Sequence, residues 1–578
     1  MHISNVSISG FRNFMNIDIP LSKNTMILGV NDVGKTNLLD AINLVLYDNK
    51  PGFHSKRLSE YDFNSSLINL YNDSLNSLAA IIRNREADYK NKILGVTPKI
   101  EITLTFSVDK DDFVGLALLN KFIYDDSNEV TYKLKYEFSI SNTKDYINYI
   151  CNIVDQTDED IIKINIPIKY YDYKIYSPFN EYEADIKILK KLRSSIIYAN
   201  RDSFSTDENL SSTNMISKII SEEMNETEKS QLIDAYKSFF EKIKEFKSFK
   251  DVFSYIEENE IKNVSAFIKN INLIPNAKKY QNVLSNISIS YGNEMLFQKG
   301  LGTRNLIFIF TLFSYLIKSN DDTFNLLAIE EPESHLSVDN YKLVLDYVTK
   351  TIENNNSKNQ LLLTSHSNQF INKLDLTSIT VLCSNDKAIN LGELDIELQF
   401  YISKRSNFDI LKLLLAKNVI LVEGITEELY INTLLEKNKT INDINVISIG
   451  QTGFTKFMDI WLKLHKGDED YRLGVVKDFD NRETSKEKHL NYSKLYKNIF
   501  VAITENYTFE NDFVKNGNLV NLNNFFGEEL NEGEMVSKLK EDKADSILKI
   551  CMALRDGYNF SIPNYIAKLI GWFTNEDN

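Results

Sequence analysis

At 578 residues the chain is too long for one hydrophobic core, so several independently folding domains are expected. A net charge of -15 argues against a general polyanion binder, because nonspecific nucleic-acid affinity comes largely from lysines and arginines that neutralise phosphates; any such contact must be focused in a local basic groove or bridged by cations. Cys151, Cys383 and Cys551 are widely spaced and odd in number, which argues against a disulfide framework or a cysteine zinc site. With no secretory signal in "MHISNVSISGFRNF", a reducing, cytoplasmic location is expected.

The first stretch that carries chemistry is "NTMILGVNDVGKTNLLDAINLVL", an apolar strand, a glycine loop, then a helix with Leu38, Leu39, Ile42 and Val45 on one side. Gly29 through Thr36 fits G-x-x-x-x-G-K-T in the required strand-loop-helix context. Gly29 and Gly34 permit the tight backbone whose amides, with that of Asn31 and the helix dipole, surround phosphates. Lys35 reaches the terminal phosphates, and the Thr36 hydroxyl is placed to bind magnesium. ATP with one Mg2+ is the expected ligand.

Further along, "KIEITLTFSVD" and "VTYKLKYEFSI" alternate as half-buried strands and are expected to extend the ATPase sheet. From about Ile216 the period becomes helical. In "NETEKSQLIDAYKSFFEKIKEF", Leu232, Tyr236, Phe239, Ile243 and Phe246 recur at three and four, after a capping pair Asn225 and Glu228. This helical insertion reads equally as core or as a dimerisation arm. Strand character is expected to return at "NVLSNISISY". The run "LIFIFTLFSYLI" is too short to cross a bilayer and reads as a buried helix, so no membrane association is expected.

Gly300 and Gly302 in "FQKGLGTRN" precede that helix. Next comes "FNLLAIEEPESHL", an apolar strand ending in Glu330 and Glu331, suited to holding magnesium and orienting the attacking water respectively. The following strand, "NQLLLTSHS", ends at His366, where an imidazole would sense the terminal phosphate. These segments, with Arg12 and Asn13 after the first strand, resemble the ABC-type ATPases related to RecF, SMC and Rad50 proteins. The resemblance implies that the Gly300–Gly302 segment of one subunit closes over ATP bound to another, in a homodimer or higher oligomer. No Q-loop glutamine is evident; "EYDFNSS" around Asp62 is the nearest candidate.

After residue 405 the pattern restarts. "NVILVEGITEELYINTLLE" is a strand, a turn and a helix, with Glu423 at the strand's carboxyl end and Glu427 one helical turn on. "INVISIGQTGFTKFMDIWLKLH" repeats the unit, and "LGVVKDFDN" gives a third strand with Asp478 and Asp480, placed on one face if the strand alternation continues through them. Four acids gathered at one sheet edge would repel unless divalent cations neutralised them, and oxygen-only ligands favour Mg2+ or Mn2+ over zinc.

The order E-G-x-x-E, glycine turn, D-x-D resembles the Toprim domain, and with the preceding ATPase it resembles the overcoming-lysogenization-defect (OLD) nucleases over nearly the full length. Gabija antiphage nucleases and retron effectors are the most similar members. The resemblance implies that Glu510 and Asp512 in "YTFENDF" bind a second metal, giving two in the Toprim site, and that Lys568 in "NYIAKLIGWF" stabilises the transition state.

The fold class expected is α/β, an ABC ATPase interrupted by a helical insertion and followed by a Toprim domain. Its divisions are expected at 1–175 and 276–400 (ATPase), 176–275 (insertion) and 401–578 (Toprim). The expected function is ATP-regulated, metal-dependent DNA cleavage in antiphage defence. Implied partners are DNA and a UvrD-like helicase subunit or a retron reverse transcriptase with its msDNA. A RecF-like DNA-binding ATPase with an inactive Toprim site, or cleavage of RNA or tRNA, remains as an alternative.

Overall fold

The computed structural model describes residues 1–48, 56–126, 129–157, 162–198, 220–221, 223–246, 290–295, 298–318, 324–334, 336–354, 359–366, 375–384, 386–404, 410–437, 443–450, 453–479 and 483–574. They divide into two compact units. One holds Met1–Ser195, Phe324–Ala328 and Gln360–Asn578; the other holds Ile196–Thr323 and Ile329–Asn359.

The first unit contains three main sheets, and burial patterns explain why they are separate. The strand Asn24–Leu28 and its neighbour Asn359–Ser365 run parallel and are buried at nearly every position, as are the residues of Phe324–Glu330. Strands covered on both faces read as continuous apolar runs. They sit in a seven-stranded sheet of order Lys387–Asn390, Ile379–Ser384, Asn24–Leu28, Asn359–Ser365, Phe324–Glu330, Leu192–Ile197, Tyr47–Asp48.

The two alternating strands behave differently. Ile100–Ser107 is buried at every second residue, and it pairs antiparallel with His2–Phe11 and with Glu129–Ile140. With Phe14–Pro20, Ile123–Asp126 and Tyr171–Tyr176 they form their own six-stranded sheet rather than an extension of the P-loop sheet. Period-two burial suits a sheet packed on one face only.

The third sheet is wholly parallel, in the order Ile444–Ser448, Asn418–Val422, Arg472–Lys477, Ile499–Ile503. Its core joins Ile420, Val422 and Val476 to helices through Tyr430, Phe509, Phe513, Ile550 and Ile566. All three cysteines are buried and free.

In the second unit, the capping box expected at Asn225 and Glu228 starts the helix Glu226–Lys244. The stripe on this helix is only half-buried, and Phe239 is 60% exposed. The apolar run near residue 306 lies in the helix Leu301–Lys318, with Ile309 fully buried. Of the expected "NVLSNISISY" strand, only Ser290 and Tyr291 are among the described residues; they pair with Glu294–Met295. No helix of the described residues is long and apolar enough to cross a membrane.

Candidate nucleotide and metal sites

The glycine loop ends where the helix Lys35–Val45 begins, and Gly34 is its N-cap with φ of 108°. A Cβ there would also lie 2.4 Å from the Asn13 side-chain nitrogen and 2.6 Å from the Phe14 ring, so only glycine fits. The Lys35 ammonium donates to the carbonyls of Gly29 (3.0 Å) and Val30 (2.9 Å) and is 6% exposed. Asn31 is exposed on the loop, and Thr36 is exposed on the first turn of the helix.

Arg12 and Asn13 brace this loop. Asn13 donates to Val33 O at 2.9 Å and accepts from the Asn37 amide at 2.7 Å. The Arg12 guanidinium donates to Asp62 (3.0 Å), Asn37 (2.9 Å) and Asp40 (2.6 Å). Partial burial alone would lower the Arg12 pKa, but the hydrogen bonds and charges of Asp40 and Asp62 outweigh it and raise it. Asp62, the nearest Q-loop candidate, is thereby tied to Arg12 and to the Ser59 cap of its own turn. Sequence alone gave Asp62 no partner; the link across 50 positions comes from the fold.

His366 follows the strand Asn359–Ser365 directly and is exposed. In the second unit, Glu330 ends the buried strand at 7% exposure, and Glu331 has a positive φ of 42°. A non-glycine residue is uncommon in that region and is held there by its surroundings. The Ser334 hydroxyl donates to Glu331 at 3.3 Å, and the Asn305 amide donates to Ser334 O at 3.2 Å. Asn305 lies in the helix that Gly300 precedes and whose second residue is Gly302. A Cβ at Gly300 would meet open space, so packing does not require glycine there.

In the parallel C-terminal sheet, the strands bearing Glu423 and Asp478 are neighbours, with Leu421 opposite Val475. Continuing that register brings Glu423 beside Lys477 and Asp478, at the carboxyl edge where open parallel sheets build sites. The third strand ends at Lys477, so Asp478 begins a loop and strand alternation does not extend through it. Asp480 lies outside the described residues, as do the two residues between Gly450 and Gly453.

Glu427, 5% exposed, accepts from Gly424 N and from the Thr426 hydroxyl, each at 3.0 Å, which locks the turn after Glu423. Asp478 Oδ1 accepts from Phe509 N at 3.0 Å, tying it to the helix Phe509–Phe513 that carries Glu510 and Asp512. Asp512 accepts from Glu505 N (2.7 Å), from Asn506 N (2.8 Å) and from the Asn506 side-chain amide. Glu510 accepts from the Thr508 hydroxyl at 2.7 Å and pairs with Lys543 at 3.0 Å.

Lys568 is exposed on the helix Asn564–Thr574, whose inward face presents Tyr565 and Leu569. Lys543 is the lysine whose ion pair reaches the acids, and sequence reasoning missed it. It stands in "EDKADSILK" with no motif around it, and only its place at the start of the helix Lys543–Arg555 could have drawn notice.

Among the described residues no three acidic, histidine or cysteine side chains are gathered closely enough to hold a metal ion. The donor chemistry nonetheless fits a hard divalent cation. Asp478 is tied to the helix that carries Glu510, and the Lys543 ammonium feels Glu510, Glu427 and Asp478, all oxygen donors of the kind such a cation prefers.

Residues 1–371 match the AAA ATPase domain family, and residues 414–466 match the TOPRIM domain of overcoming-lysogenization-defect-like proteins. The chain is similar to two proteins named Endonuclease GajA. That of Bacillus cereus strain HuB5-5 is 23% identical over 477 residues, covering 72% of this chain and 65% of the relative. That of strain VD045 is 24% identical over 473 residues, covering 79% of this chain and 72% of the relative. The chain thus spans just under two thirds of the first relative's length. Among solved structures, the recombination mediator RecF with ATP aligns with a TM-score of 0.30 at 11% identity, covering 67% of this chain and 98% of that one. The C-terminal region of the OLD protein of Xanthomonas campestris pv. campestris aligns with a TM-score of 0.19 at 19% identity, covering 28% of this chain and 95% of that one.

Proposed function

Since this chain belongs to the AAA ATPase domain family and carries a TOPRIM domain of the OLD-like type, we propose that it is an ATP-regulated, divalent-metal-dependent DNA endonuclease. The observation that supports this reading is the parallel pairing of the strands Asn418–Val422 and Arg472–Lys477, which Glu423 and Asp478 directly follow in sequence, with Glu427 locking the turn after Glu423. Glu423 and Asp478, with Asp480, would hold Mg2+ or Mn2+. Such an ion activates water and stabilises the leaving oxygen in phosphodiester hydrolysis.

At the other end of the chain, Lys35 exchanges its two loop carbonyls for the terminal phosphates of ATP. As expected from the sequence, Thr36 and Glu330 would hold the accompanying Mg2+, Glu331 would orient the attacking water and His366 would sense the terminal phosphate. The segment at Gly300 and Gly302 closes over the nucleotide of a second copy, so the working form is a homodimer or larger assembly. Nucleotide occupancy then gates cleavage. In this reading the protein acts in the cytoplasm in antiphage defence, with DNA as substrate and a helicase-type or retron partner; its likeness to two proteins named as endonucleases supports the cleavage. Lys568, exposed on its helix, is kept in this reading as the charge donor that the sequence resemblance assigns.

The test is incubation of the full chain with supercoiled plasmid and Mg2+ or Mn2+, beside Glu423→Ala. Cleavage in the parent and a loss of more than ~100-fold in the variant are expected, since removing a ligand removes the ion's positioning. Equal cleavage by both proteins would refute the assignment. Cleavage of RNA but not plasmid would move the substrate class.

A further inference from the structure

Lys543 opens the helix Lys543–Arg555, and its ammonium lies 3.0 Å from Oε1 of Glu510. The partners are unequally exposed: about half of the Lys543 side chain remains in solvent, whereas Glu510 keeps 1%. A carboxylate that deeply buried is costly without a charge beside it, and the lysine supplies that charge. The same ammonium feels Glu427 and Asp478. Burial works to lower the Lys543 pKa, but the three carboxylates prevail and raise it.

Asp512, the other half of the acidic pair, has both oxygens committed. Glu505 N binds one, Asn506 N the other, and the Asn506 side chain adds a third bond, so this carboxylate closes a turn. Of the two acids expected to take a second metal, one is neutralised by a lysine and one is built into the loop.

A separate element adds an independent observation. Tyr565 is 5% exposed, and its hydroxyl has no hydrogen-bond partner. It is packed where Asp478, Asp512 and Glu427 act on it. A buried hydroxyl left unpaired in this position is a donor awaiting an acceptor.

Resting on the nuclease reading above, we propose that this Toprim site takes one divalent cation, at the Glu423–Asp478 edge, and that Lys543 is the resident second cation, occupying the place at Glu510 that another metal would fill. The unpaired Tyr565 hydroxyl is then the donor available to what binds there. Removing the lysine exposes the buried Glu510 carboxylate to a second ion.

The test counts Mn2+ bound to the full chain, without nucleotide or DNA, by calorimetric titration and by electron paramagnetic resonance, which reports spin coupling between two close ions. One uncoupled Mn2+ per chain is expected for the parent protein and for Lys543→Arg, and a second, coupled ion for Lys543→Gln. Adding Glu510→Gln to Lys543→Gln returns the count to one. Two coupled ions in the parent would overturn the proposal, whether or not the variants fold. A count unchanged in a folded Lys543→Gln would do the same while leaving the nuclease reading intact, provided the single ion is lost in Glu423→Ala. No Mn2+ bound to any of the proteins would overturn both.

Discussion

Lys35 is buried to 6% exposure against two loop carbonyls, an arrangement that ATP phosphates can replace without unburying a charge. Lys35→Ala is therefore expected to abolish nucleotide binding in an equilibrium assay with a fluorescent ATP analogue. Glu331, held at positive φ, is predicted to act after binding: Glu331→Gln retains ATP but slows hydrolysis by ~100-fold or more, read as phosphate release.

A different residue carries a pH signature. His465 is 3% exposed, stacks on Tyr471 at 4.0 Å and shares a hydrogen bond with Leu414 O. Burial pushes its pKa down to about 4, against the weaker opposing pull of that hydrogen bond. The folded form thus stays neutral where the unfolded chain takes up a proton. The stability is fully present above pH 6.5 and is lost as pH falls from there towards 4, by about 3 kcal/mol. Urea unfolding of the C-terminal region at pH 7 and pH 5 checks this, and the difference should shrink in His465→Phe.

At the level of elements, the helix Asn564–Thr574 packs against its sheet at Gly474. A Cβ there would lie 2.8 Å from Leu569 Cδ1, 2.9 Å from Phe573 Cε2 and 3.2 Å from Ile420 Cγ1. Gly474→Val is predicted to cost about 1–3 kcal/mol by overpacking and to shift the helix that carries Tyr565. Thermal melting and near-ultraviolet dichroism of Trp572 report both effects. Elements like these were largely legible in the sequence. "FNLLAIE" and "NQLLLTS" are short apolar runs ending in polar residues, and they became buried strands with Glu330 and His366 at their ends.

Less legible was which sheet a strand would join. "KIEITLTFSVD" announced a half-buried strand, but pairing is decided by its neighbours, and His2–Phe11 captured it into an antiparallel sheet. Asp478 was read on a strand that stops one residue earlier, because alternation in sequence does not mark where pairing ends. Lys543 was invisible: its meaning comes from a contact with Glu510, 33 positions away, made only once two helices pack.

The whole molecule joins a P-loop sheet, an antiparallel sheet and a parallel Toprim-type sheet in one unit, with Glu331 in the other. A net charge of -15 adds a condition on its substrate. With few cations to spare, affinity for DNA is expected to rest on divalent metal as well as on local lysines, so chelation should weaken binding as well as stop cleavage. Filter binding of labelled DNA with Ca2+ and with EDTA measures this directly.

The central claim is that nucleotide at Lys35 controls chemistry at Glu423. The measurement that tests it most directly is the rate of plasmid cleavage at fixed Mn2+, with and without ATP, for the parent protein, Glu423→Ala and Lys35→Ala. The account predicts no product from Glu423→Ala, a parent rate that changes with ATP, and a Lys35→Ala rate that does not. A Lys35→Ala rate that follows ATP as the parent does, or product from Glu423→Ala at the parent rate, would contradict it.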